Sequence, residues 1–341
     1  MRALRIIEPG LQTTVQDLGR TGAQRFGVPV SGVRDREAMA LANALVGAPV
    51  DQAVLELGYI GPSFEVEAEA VTLAVVGARM QIALYRGELQ DRVPDGRSFQ
   101  VNRGDLVTCG PLRDAPSACL AVAGGFDLAP VMGSRSTFLK AAFGGFRGRA
   151  LAAGDLLPMG EASPAPQTLT LTAPFPPEPA DRIRVVMGPQ EDYFTSEVVE
   201  IFLSAKWQVT QEADRMGLRL AGPELAHSQG YNITSDAIVT GSIQVPGNGL
   251  PIVLLVDRQT SGGYPKIATV ITADLPKLGR LGPGERFGFQ AVTAAEGAAI
   301  ARCRATALTA DIAAIKRWAP EGEVDLDALY GTELISPPIY E

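Results

Sequence analysis

The apolar positions of this 341-residue chain fall mostly in short runs of four to seven residues separated by glycine, proline and aspartate. Runs at 4–7, 13–17, 54–57, 71–76, 81–85, 98–101, 106–109 and 119–122 read as strands in the first half. Two segments break the pattern by carrying a helical stripe. Residues 35–46 place Met39, Leu41, Ala42, Leu45 and Val46 on one face, with Asp35 as N-cap and Gly47 as the stop. An alanine-rich stretch at 294–318 reads as a helix or helix pair, and the last twenty residues as an extended tail. A proline cluster at 161–180 marks a linker, after which strands at 183–187 and 207–209 flank a helix near 192–204. The expected division is 1–165, a β-rich domain; 181–290, a second β-barrel domain; and 291–341, a helical extension and tail. Many short strands with few helices predict a mainly β chain of two barrel-like domains.

The densest polar chemistry lies at 252–275, IVLLVDRQTSGGYPKIATVITADL. An apolar run at 252–256 and another at 267–271 lack polar alternation and read as the two buried strands of a hairpin. The ten residues between them supply Asp257, Arg258, Gln259, Thr260, Ser261, Tyr264 and Lys266. Gly262 and Gly263 have no Cβ, so a ligand or another backbone can approach them closely.

Composition narrows the classes. Hydrophobic residues make up 46%, ample for a core, and the formal net charge is −8. That balance argues against nucleic acid and anionic membranes as partners. No apolar run reaches membrane-spanning length and no secretory leader is recognisable at the start, so a cytoplasmic protein is expected. Three cysteines (Cys109, Cys119, Cys303) without a CxxC pair suit inert thiols, and the single histidine, His227, rules out a multi-histidine metal site within one chain. His227 reads as a structural residue, and no metal site is expected. The glycine-rich stretch 133–151 carries Arg135, Lys140, Arg147 and Arg149, which read first as solvated cations and second as a face for an anionic ligand.

Two longer stretches look familiar. GLQTTVQDLGRTGAQRFGVPVSGVRDREAMALANALVG at the start resembles the allophanate hydrolase subunit 2 family, also called the KipA or biotin-dependent carboxyltransferase-like family. So do Ala213-Asp214-Arg215-Met216-Gly217 and GSIQVPGNGLPIVLLVDRQTSGGYPKIATVITADLPKL in the second half. The resemblance spans roughly residues 4–290. It implies a cyclophilin-like barrel in the C-terminal part and a smaller partner, the subunit 1 (KipI or B-type) protein. Three activities are compatible with it. The first is that of the C component of 5-oxoprolinase, in an ATP-dependent complex that opens 5-oxoproline to glutamate with a further A-type protein. The second is the carboxyltransferase half of a biotin-dependent urea or amide carboxylase. The third is a non-catalytic KipA-like protein that binds a kinase-inhibitor partner.

The first two reactions handle a small amide or lactam, whose N–H needs acceptors and whose carbonyl needs donors. Asp257, Lys266 and Tyr264 are the expected catalytic residues. Arg215, Asn232, Arg258, Gln259, Thr260, Gly262 and Gly263 are the expected substrate-binding residues. For Arg215 two readings stand together, a group positioning Asp257 or an anion, and a structural ion pair. Asn232 enters through its resemblance to a substrate-contacting asparagine of urea carboxylase. No Walker A motif and no biotinylation signature occur, so ATP or biotin would arrive on another chain and no cofactor is expected on this one.

Overall fold

A computed structural model describes residues 2–162, 167–175 and 181–319. The proposed linker at 161–180 lies partly, and the expected tail wholly, outside those residues. The fold is mainly β, as expected. In the first half, six strands form one sheet and five form another, and both contribute side chains to one shared core that includes Leu4, Leu55, Phe64, Leu73, Ile82, Val107 and Leu120. Helix α1 (Arg36–Leu45) packs on the five-stranded sheet. Its N-cap is Asp35, whose side chain accepts from the backbone N–H of Glu37 and Ala38 at 3.0 and 3.1 Å.

The second half is a closed seven-stranded barrel. In spatial order its strands are Arg182–Met187, Lys266–Val270, Ser242–Gln244, Ile252–Leu254, Gly217–Ala221, Trp207–Val209 and Arg286–Ala291, and a parallel pairing of the last with the first closes it. Ile183, Val185, Leu218, Leu220, Ile243, Val253, Ile267, Phe287 and Phe289 fill it. Two helices accompany it, α2 (Ser196–Ser204) and α3 (Leu275–Arg280).

The alanine-rich stretch forms one helix, α4 (Ala294–Ala313), started by a Thr293/Glu296 capping box. It returns to the first half: Leu308, Ile312 and Ile315 pack against the cluster beneath α1, and Arg304 pairs with Glu37. Lys316–Arg317 then pairs with Leu169–Thr170.

The expected hairpin at 252–271 is not formed. Ile252–Leu254 and Lys266–Val270 each pair with Ser242–Gln244, which runs between them. The polar decade therefore crosses over one strand of the barrel rather than closing a tight turn. It makes a small ribbon of its own, Ser261–Gly262 against Asp236–Ala237. A register argument from local sequence cannot see a strand contributed by residues upstream of the pair.

Candidate functional site

The outer wall of the barrel carries the site. Ile243 and Val245 point inward and are fully buried, so the period of two turns Gln244 outward. The crossing loop folds over Gln244 and buries it. Its Oε1 accepts from Gln259 Nε2 at 3.2 Å, and its Nε2 donates to the Tyr264 carbonyl at 3.4 Å. Gln244, Gln259 and Tyr264 line one end of a cleft of about 580 Å³ on this wall. Met216, Leu254, Arg219, Asn248, Glu212 and Asp214 continue the lining.

Behind the ribbon lie two buried cations. Lys266 opens its strand at 3% exposure. Its Nζ donates to Asp236 Oδ2 at 2.5 Å and to the Ala237 carbonyl at 3.1 Å. The Lys266 ammonium holds the half-exposed Asp236 below the usual carboxylate range. Arg258, 2% exposed, donates from Nη2 to the next carbonyl, Ile238 O, at 3.2 Å. Burial pushes its pKa down to about 10. Gln24 Nε2, from the first half of the chain, reaches the same carbonyl at 3.1 Å.

The two glycines serve different ends. A Cβ on Gly262 would lie 2.6 Å from both Gln244 Nε2 and Ile238 Cδ1. Gly262 therefore admits this chain's own carboxamide. Gly263 has room, its nearest would-be neighbour being Ile233 O at 3.5 Å. Thr260 contributes through its backbone, accepting from Ile238 N at 3.1 Å.

Asp257 and Arg215 stand elsewhere. Arg215 Nε donates to Asp257 Oδ2 at 2.7 Å, Nη2 to Gly32 O at 2.8 Å, and Nη1 to Glu56. All three side chains are buried, Arg34 adds a second cation at 3.3 Å from Glu56, and the cluster joins the barrel to the first-half sheets. Its contacts fit both readings of Arg215: the guanidinium holds Asp257 in place and forms a buried ion pair with Glu56. The structure thus brings together Gln259, Tyr264, Gly262, Gly263, Thr260 and Lys266, and places Asp257 and Arg215 in the junction beside them. Asn232 is exposed and outside the cleft lining, although Ile233 N donates to Gly263 O at 2.9 Å. His227 Nε2 meets the Val245 carbonyl at 3.0 Å and its ring sits near Phe194, a structural setting.

Sequence reasoning missed Gln244 and Asp236. A strand position between two buried aliphatics gave Gln244 its outward direction, and that alternation was the available signal. Asp236 offered none, since its pairing with Lys266 spans thirty residues. Among the described residues no three His, Cys, Asp or Glu side chains are grouped to hold a metal ion. Among the same residues no helix is long and apolar enough to cross a membrane.

A seven-stranded barrel joined to a pair of β-sheets is the fold of a carboxyltransferase-type domain: the solved urea amidolyase of K. lactis superposes with a TM-score of 0.83 at 29% identity, covering 91% of this chain and 20% of that one. The chain belongs to the family described as carboxyltransferase domain, subdomain A and B, which matches residues 26–291. It is similar to the C subunit of 5-oxoprolinase from Escherichia coli (strain K12), 36% identical over 295 residues that cover 84% of this chain and 90% of that protein. It is also similar to the urea amidolyase of Saccharomyces cerevisiae (strain S288c), 33% identical over 307 residues covering 84% of this chain but 16% of the yeast protein.

Proposed function

We propose that this chain is the C-type subunit of an ATP-dependent 5-oxoprolinase-like complex, acting with a subunit 1 (KipI or B-type) protein and an A-type protein. The observation that carries this reading is collinearity with a free-standing subunit: the match covers 90% of the C subunit of E. coli 5-oxoprolinase. Opening the lactam breaks the bond between ring nitrogen and carbonyl carbon. Water supplies the oxygen to that carbon and the proton to the nitrogen. The cleft offers groups suited to such a substrate. The exposed Gln259 presents its amide, held in place by Gln244 beneath it, and Tyr264 is 40% exposed. In this reading the Lys266 ammonium, oriented by Asp236 behind the ribbon, is the donor assigned to the carbonyl oxygen, where negative charge develops as water adds. ATP would be handled by a partner protein, and the isolated chain would be inactive.

A second reading, the carboxyltransferase half of a biotin-dependent urea or amide carboxylase, is favoured by the TM-score of 0.83 with the K. lactis urea amidolyase. In it the biotin would come on another chain and the cleft would hold the acceptor amide.

Co-expression with the two partner proteins and assay of ATP-dependent glutamate release from 5-oxoproline separates the readings. Glutamate formation that requires all three proteins supports the first. A stable assembly that forms no glutamate but carboxylates urea with a biotin carboxylase overturns it in favour of the second.

A further inference from the structure

The glycine-rich segment 131–150 brings a cation from the first half of the chain against Met216, at the margin of the cleft on the second. The segment is wound too tightly for ordinary side chains. Met132, Ala142 and Arg147 adopt left-handed φ values of 53°, 53° and 58°, a region disfavoured for residues with a Cβ. Gly144 has φ 72°, and a Cβ there would lie 2.2 Å from Ser136 O and 2.8 Å from Arg20 Nη2. Asp17 anchors the start of the segment by accepting from Ser134 Oγ, Ser136 Oγ and Arg135 N at 2.6, 2.5 and 2.6 Å. Phe138 and Phe143 meet edge to face, 5.7 Å apart, and brace the turn that presents Lys140. Strain held in this way is found where a side chain must be delivered to one place. Here Lys140 Nζ lies 3.5 Å from Sδ of Met216, a residue of the cleft lining.

The other cations around the cleft already have partners, the Arg219 pair being exposed and the rest buried. Arg219 pairs with Glu212 at 3.2 Å, Lys266 with Asp236, and Arg215 with Asp257 and Glu56. Arg258 is sealed behind the ribbon against Ile238 O. Lys140 is exposed and makes no ion pair among the described residues. A thioether is a weak acceptor that leaves the ammonium available to an anion.

We propose that Lys140 is a specificity-determining residue at the margin of the cleft, binding the carboxylate of a small lactam acid while the amide end lies toward Gln259. The proposal deepens the function stated above and rests on it for the substrate class.

Two measurements test it. In the assembled three-protein complex, Lys140→Met is expected to raise KM for 5-oxoproline about 10- to 100-fold, the weight of one charge-assisted hydrogen bond, with kcat changed far less. Lys140→Arg should recover part of the loss. An unchanged KM in Lys140→Met overturns the proposal even if the complex is active. In the second measurement the full chain with its subunit 1 partner carries isotopically methylated lysines, and the Lys140 resonance is assigned by its loss in Lys140→Arg. That resonance should move on titration with 5-oxoproline and stay fixed with pyrrolidin-2-one, the same lactam without the carboxylate. Movement here, with no glutamate released by the three-protein complex and ATP, leaves the carboxylate subsite standing and overturns the 5-oxoprolinase reading. A stationary resonance with both compounds overturns the subsite.

Discussion

The Nε of Arg215 lies 2.7 Å from Oδ2 of Asp257, and the same guanidinium donates to Glu56, 159 residues away in the other half of the chain. This one side chain ties the barrel to the sheet that carries α1. Buried charges of this kind are costly when unpaired. Arg215→Met is expected to lower the unfolding free energy by about 3–5 kcal/mol, because Asp257 stays buried without its ion-pair partner and Glu56 keeps only Arg34. Denaturant unfolding of the single variant checks the number. The triple variant with Glu56→Gln and Asp257→Asn should recover most of the loss.

The same cluster sets a pH dependence. Burial opposes ionisation of Glu56, but Arg215 and Arg34 outweigh it and hold its pKa below the ordinary value of 4.5. A carboxylate depressed in the folded state contributes stability above its unfolded pKa and loses it as pH falls through the folded one. Stability should therefore fall with acidification from about pH 4.5 downward. Unfolding curves across that range should show a shallower acid limb in Glu56→Gln. An unchanged slope would remove Glu56 from the account.

In the proposed chemistry Lys266 is the cation assigned to the carbonyl oxygen. Lys266→Met is expected to reduce kcat of the assembled complex by roughly 100- to 1000-fold, the scale for one electrostatic stabiliser of a developing oxyanion. Assembly with the partners should persist, since Asp236 is half-exposed and tolerates the loss of its partner. Size-exclusion chromatography of the mixed proteins together with steady-state kinetics separates the two effects. A variant that keeps full kcat would take Lys266 out of the catalytic set.

The cysteines divide by burial. Cys109 is buried and its thiol is pushed up to about 12, and burial with the nearby Glu56 and Asp35 charges raises Cys119 well above the ordinary thiol range. Cys303 lies exposed on α4. Thiolate is the reactive form, so a disulfide reagent should titrate one thiol in the native protein and three after unfolding. Native reaction at a second cysteine would show local opening of the sheets that bury the other two.

The expectations drawn from residues 252–275 show where local pattern stops. Both buried runs formed strands, and the polar decade contributed Gln259 and Tyr264 to the cleft. Their pairing with each other was wrong, because Ser242–Gln244 runs between them. The residue types needed for the site were legible, but not their directions. Asp257 and Arg258 sit side by side in sequence, yet one faces Arg215 in the junction and the other a carbonyl of the ribbon. Lys266 read as a turn residue and is the buried first residue of a strand. Among the expected substrate-binding residues, Asn232 faces solvent.

The sequence alone determined the alternation of short strands, the cap and stripe of α1, the mainly β class and the family, because each is written within a few tens of contiguous residues. The tertiary structure decided which face of the barrel carries the cleft and which carboxylate answers which cation. It also decided that Lys140, from a segment far upstream, reaches Met216. These are contacts between residues 30 to 159 positions apart. Electrostatic pairing and close packing act across space, and only the closed barrel and its junction set those distances.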